Sequence, residues 1–237
     1  MKQVSETTDR KTRILDGIAQ FLTRFRKPII AVLIVLVVVT VSLVVFLSVQ
    51  SSRAERALES VETLTNTYRD WIATVETNDG ETVSSEFGQI ESRAADLIEQ
   101  YDGTYAAVRA RMIVAEGHFE LENWQQAATD FTDVASQTTG TYLSAVALMA
   151  AGVSLENAGD PEGALERYTR ITEADGSGYG FLPRALFSVG RIQEIRGEIV
   201  AASEAYQSLI DDYPTSSWTN LARNRIITLT VQGRIGE

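Results

Sequence analysis

The sequence predicts an all-α protein: an N-terminal transmembrane helix, then a helical hairpin, then a solenoid of repeated helix pairs. Three observations in its 237 residues carry this reading. No formal charge lies between Lys27 and Arg53, apolar residues recur at spacings of three and four through 54–101, and from Thr104 onward one pattern of small and aromatic residues returns three times.

The first element is the membrane span, placed at 28–49. Ile29 through Val39 are eleven consecutive apolar residues, and about 20 residues at about 1.5 Å each span a hydrocarbon core as a helix. A cleaved secretory signal has a shorter apolar core and ends on a small-x-small site, which does not follow Leu47. Residues 1–27 form a basic tail in which Arg24, Arg26 and Lys27 crowd the span, whereas Arg53 and Arg56 on the far side are mixed with Glu55 and Glu59. The positive-inside rule then places the N-terminus in the cytoplasm. Ile14, Ile18, Phe21, Leu22 and Phe25 fall at helical spacing opposite Arg13, Arg24 and Arg26, so the tail reads either as an amphipathic helix on the inner leaflet or as a frayed end. With no cysteine and no Asn-x-Ser/Thr acceptor, a bacterial inner membrane with the larger part in the periplasm is the expected location.

The second element, 50–103, reads as a periplasmic helical hairpin. Ala54, Leu58, Val61, Tyr68, Ile72 and Val75 lie on one helix and Val83, Phe87, Ile90, Ala94, Leu97 and Tyr101 on the next, with Asn78-Asp79-Gly80 as the turn. Each run is barely three heptads without a clean e/g charge pattern, so packing on the following domain is favoured over an intermolecular coiled coil.

The third element is 104–237. A small residue in the first helix of each pair (Ala115, Gly152, Gly190) precedes an alanine in the second (Ala127, Ala164, Ala202) by twelve residues each time, and an aromatic follows four residues later: Phe131, Tyr168, Tyr206. Small residues facing one another let antiparallel helices approach closely, and the aromatic fills the notch. Gly159 and Gly197 stand where the turn inside a pair belongs.

Gly152, Ala164-x3-Tyr168, Gly190, Ala202-x3-Tyr206 and Pro214 resemble the tetratricopeptide repeat. The repeats would cover about 108–141, 145–178 and 183–216, with Trp218, Leu221, Ala222, Ile226 and Leu229 on a C-terminal capping helix. Arg111, Leu148 and Leu186 replace the consensus Trp, and His118, Leu155 and Gln193 replace the Tyr of the first helix. The basic tail, single span, acidic hairpin and degenerate repeats further resemble the ancillary SecYEG translocon subunits. Thr104-Tyr105-Ala106-Ala107 and Glu122-Asn123-Trp124-Gln125-Gln126-Ala127-Ala128 are similar to that family's opening of its first repeat.

Composition removes most enzyme chemistry. Zero cysteines and one histidine leave no thiolate metal site, no Cys nucleophile and no Ser/His/Asp arrangement. No catalytic residue, metal ligand, cofactor or small-molecule substrate is expected. Net charge is −11, and with +4 in residues 1–28 the remainder carries −15, a poor ligand for nucleic acid. Gly176-x-Gly178-x-Gly180 lies between two helices with no strand before it and no Lys after it, so it reads as an inter-repeat connection. His118 reads as a packing residue, and Glu162, Glu166 and Glu173 as a solvated face.

The positive candidate is a partner-binding groove. Alignment on Gly152 and Gly190 puts Met112, Met149 and Phe187 at one position of the concave side, adjoined by Phe119 and Val153 and edged by Arg109, Arg184 and Arg191. Such a row suits an extended peptide or a partner helix; it could equally be filled by residues 54–101 folding back. The expected function is a membrane-anchored interaction scaffold. The resemblance implies contact with translocon subunits and periplasmic chaperones, and an envelope-assembly or cell-division coordinator is the alternative on the same repeats.

Overall fold

The computed structural model describes residues 26–77, 79–173 and 180–235, which hold nine helices and no strand. The basic tail and the connection Asp175–Tyr179 lie outside these residues. The chain divides into residues 1–55 and 56–237.

In the first unit the described backbone belongs to helix α1 (Arg26–Ile72). The span and the first hairpin helix, expected as separate elements meeting near residue 50, are one continuous helix. The reason is local: no glycine or proline occurs between Pro28 and Gly80 to stop it. From Ile34 to Val45 the large apolar side chains are 55–61% exposed, so this stretch is apolar all round with no face packed on protein. Among the described residues no helix is long and apolar enough to cross a membrane.

In the second unit, α1 turns into α2 (Gly80–Gln100), whose first turn is capped by Asp79 accepting from the amides of Glu81 and Thr82. Val61, Leu64 and Trp71 pack against Val83, Phe87, Ile90 and Leu97, and the same core continues onto Ala106, Ala110 and Ile113 of α3 (Tyr105–Glu120). Trp71 donates its indole N–H to the Val83 carbonyl at 3.0 Å. The hairpin seam is therefore spent on the first repeat.

Three helix pairs follow: α3 with α4 (Trp124–Gln137), α5 (Tyr142–Asn157) with α6 (Pro161–Thr172), and α7 (Leu182–Ile195) with α8 (Ile199–Asp212), closed by α9 (Ser217–Val231). The small-residue notches act as their spacing requires. A Cβ on Gly152 would sit 2.4 Å from Cε1 of Tyr168, and one on Gly190 2.6 Å from Cε1 of Tyr206. Phe87 occupies a third notch, 1.9 Å from where Gly117 would carry a Cβ, so the hairpin docks on α3 by the same device. Gly159 and Gly197 turn at φ 77° and 81°; at the same register the first pair has Glu122, at φ 59°. That left-handed backbone is one an L side chain adopts only at a cost of about 1–2 kcal/mol.

Candidate functional site

A repeated polar joint is the first feature of the helix-pair interfaces. Tyr168 donates to Glu156 at 2.7 Å, and the other carboxylate oxygen of Glu156 accepts from Arg191 of the next pair at 2.5 Å. One pair later the pattern recurs: Tyr206 donates to Glu194 at 3.1 Å, and Arg225 of α9 holds the same carboxylate through Nε at 3.0 Å and through Nη2. Glu194 is only 8% exposed, and the Arg225 guanidinium holds its carboxyl below the usual range. Burial and the adjacent carboxylates keep the Tyr168 and Tyr206 phenols protonated, so both remain donors.

The first pair breaks this pattern. Phe119, Phe131 and Val153 stand where the later joints have Glu, Tyr and Arg. They border an apolar cleft of about 420 Å³, lined by Phe119 and Phe131, by Val146, Met149, Ala150 and Val153 of α5, by Phe181 and Arg184, and by Glu116, Glu120 and Tyr68.

The eight residues proposed from sequence are thus divided. Phe119, Met149, Val153 and Arg184 meet in this cleft. Met112 is 6% exposed and belongs to the core with Ala115 and Ala127. Met149 is also nearly closed off, at 3%, with one side on the cleft. The row is covered at both methionines because Ala115 and Gly152, one turn away, draw the helices together. Arg109 is spent on Glu116 at 3.0 Å and Arg191 on Glu156. Phe187 stacks on Tyr206 and Trp218 at 5.7 and 5.4 Å, at the last joint. Arg184 lies 6.0 Å from the Trp218 ring and has no carboxylate partner among the described residues. Tyr68, Glu116, Glu120, Phe131 and Phe181 were not foreseen as lining. Phe131 is the one with a sequence signal, as the single repeat aromatic without a hydroxyl.

His118 does more than pack. Its Nδ1 is 2.7 Å from Asp130 on α4 and its Nε2 3.4 Å from Glu91 on α2, and its ring meets Phe87 edge-on at 5.3 Å. Asp130 also accepts from Gln126 at 2.9 Å, and together with Glu91, Arg111 and Asp133 it lines a hollow between α2, α3 and α4. The hydrogen bond to Asp130 raises the imidazole pKa above 6.5, against the opposing pull of burial. A raised folded-state value means that the stabilisation is complete below the unfolded pKa and is lost as pH rises through the folded one. Melts compared across roughly pH 6 to 8 should therefore lose stability toward the alkaline side. His118→Gln should remove that part of the slope; an unchanged slope would show that the imidazole does not titrate between the two carboxylates.

A family model described as a tetratricopeptide repeat-like domain matches residues 19–230. The chain belongs to the tetratricopeptide repeat-like family. A "TPR repeat-containing protein" of Treponema pallidum (strain Nichols) is 26% identical over 232 residues, covering 91% of this chain and 94% of that protein. Tetratricopeptide repeats serve in general as protein-interaction scaffolds, and the match places the three helix pairs and the hairpin inside one such domain. Among the described residues no group of three or more His, Cys, Asp or Glu is arranged to hold a metal ion.

Proposed function

We propose that the protein is a membrane-anchored interaction scaffold whose repeats lie in the bacterial periplasm and assist the secretion translocon and its chaperones. The observation that carries the reading is the pairing, in one chain, of a helix stretch apolar on every side, Ile34–Val45, with an acidic repeat domain that keeps an unfilled apolar cleft. A helix exposing such a surface is stable in lipid and not in water, and the basic residues before it favour an inside N-terminus. The likeness of the first repeat to ancillary SecYEG subunits supplies the partner class.

Two measurements test this. Protease added to spheroplasts should degrade the chain beyond about residue 53 and leave a small anchored N-terminal fragment. Protection of the repeat domain would overturn the periplasmic placement. A photo-crosslinking residue at 153, on the cleft, should capture translocon or chaperone subunits in cells, while one at 166, exposed on α6, should capture little. Capture of only division or outer-membrane assembly proteins would keep the scaffold and remove its assignment to the translocon.

A further inference from the structure

The apolar joint between the first and second pairs has an electrostatic direction as well as a shape. On its α3 side stand Glu116 and Glu120; Glu116 is partly neutralised by Arg109, while Glu120 is exposed and unpaired among the described residues. On its α7 side stands Arg184, which meets no carboxylate among the described residues. Burial first, and then the carboxylates of Glu116 and Glu120, push the Tyr68 phenol above its ordinary range, in keeping with an acidic α3 edge. The floor between is α5, with Met149 and Val153 below and Phe119 as one wall. At the other two joints the corresponding positions carry the Tyr–Glu–Arg contact; the last of them also keeps a hollow, of about 540 Å³, but one lined by Arg191, Glu194, Arg225 and Arg234 beside Phe187 and Ile195, so what sets the first joint apart is the apolar character of its lining.

We infer that this cleft receives one large apolar side chain of an extended partner segment that carries a basic residue toward Glu120 and an acidic residue toward Arg184. The inference rests on the scaffold reading above and specifies what its groove recognises. A volume of about 420 Å³ suits a bulky side chain with its flanking backbone. A second copy of this chain fits less well, because residues 29–237 carry −15 and repel their like, whereas a segment presenting a cation to the α3 edge is attracted. Neighbouring packed helices generally lie about 8–10 Å apart, and an extended chain rises about 3.3 Å per residue. The two charges therefore belong about three residues before and after the anchor.

The test uses the full chain in lipid nanodiscs and a fluorescein-labelled peptide, Lys-Ser-Ser-Phe-Ser-Ser-Glu between glycines, read by anisotropy. Replacing the peptide's Phe by Ala should weaken binding at least about tenfold, since the buried aromatic supplies most of the apolar contact. Replacing its Lys by Glu should weaken it about fivefold or more by like-charge contact with Glu120. Glu120→Lys, an exposed change, should reverse that second preference. The triple substitution F119E/F131Y/V153R, which writes the polar joint of the other repeats into the first, should abolish binding while melting no lower than the parent. Equal binding of the Phe and Ala peptides, or a charge preference untouched by Glu120→Lys, would overturn the inference. If the peptide fails to bind while a crosslinker at 153 still captures partners, the scaffold stands and only this occupant falls; if both are silent, both readings fall.

Discussion

Gly152→Leu is expected to destabilise residues 56–237 by about 3 kcal/mol or more, at the upper end of overpacking costs. The added Cβ alone would lie 2.4 Å from Cε1 and 2.6 Å from Cζ of Tyr168. That ring has no room to retreat: Tyr168 is 1% exposed, and its hydroxyl is tied to Glu156 at 2.7 Å. Either the helices α5 and α6 move apart or the ring leaves its notch and surrenders the hydrogen bond, itself about 1 kcal/mol. At about 2–4 °C per kcal/mol for a unit of this size, the melting temperature should fall by roughly 6–12 °C. The matched control is Gly88→Ala on α2, where a new Cβ meets nothing within 4 Å; replacing glycine inside a helix should there gain about 0.5–1 kcal/mol. Opposite signs for two glycine substitutions would tie stability to the notch. If Gly152→Leu melts with the parent, the pairing of α5 with α6 is not the one described.

What the sequence disclosed and what it concealed follow the range of the forces involved. Gly152 with Tyr168 and Gly190 with Tyr206 were legible because both partners sit on adjacent helices at a fixed interval, so the contact is written as a spacing. Gly159 and Gly197 were legible because left-handed backbone selects glycine; Glu122 was missed because it takes the same conformation, φ 59°, against its own preference. The joints Glu156–Arg191 and Glu194–Arg225 connect residues 35 and 31 apart. At that range no periodicity announces the pair, and the glutamates resemble the solvated ones on neighbouring turns. The cleft was half legible. Repeat alignment groups Phe119, Met149, Val153 and Arg184, which line one cleft, but alignment gives the face of a helix and not its depth, and depth is what separates Met112 from Val153. The hairpin contribution, Tyr68, required knowing where α1 meets the repeats.

That difference in depth makes Met149 the sharpest probe of the site, and Met149→Glu is expected to cost about 3 kcal/mol or more. Two losses combine. Truncating the apolar contact of a core methionine is worth about 2–5 kcal/mol when its space is left unfilled, and a carboxylate in its place adds several kcal/mol unless it is paired. Met149 is 3% exposed among the residues of the main core, so most of both penalties applies. Arg184 on the same cleft offers partial relief, which keeps the expected value near the lower bound. The pH dependence identifies the mechanism. Burial would raise the introduced carboxyl above its unfolded value of about 4.3, so the penalty stands in full above the folded pKa and disappears as pH falls through the unfolded one. The variant should therefore recover stability relative to the parent on acidification, whereas Glu120→Lys, exposed on the rim, should stay within about 0.5 kcal/mol of the parent throughout. Should Met149→Glu melt with the parent at neutral pH, Met149 is open to water, and the recognition surface is a groove along the whole row Met112, Met149 and Phe187 in place of a single pocket between the first two repeats.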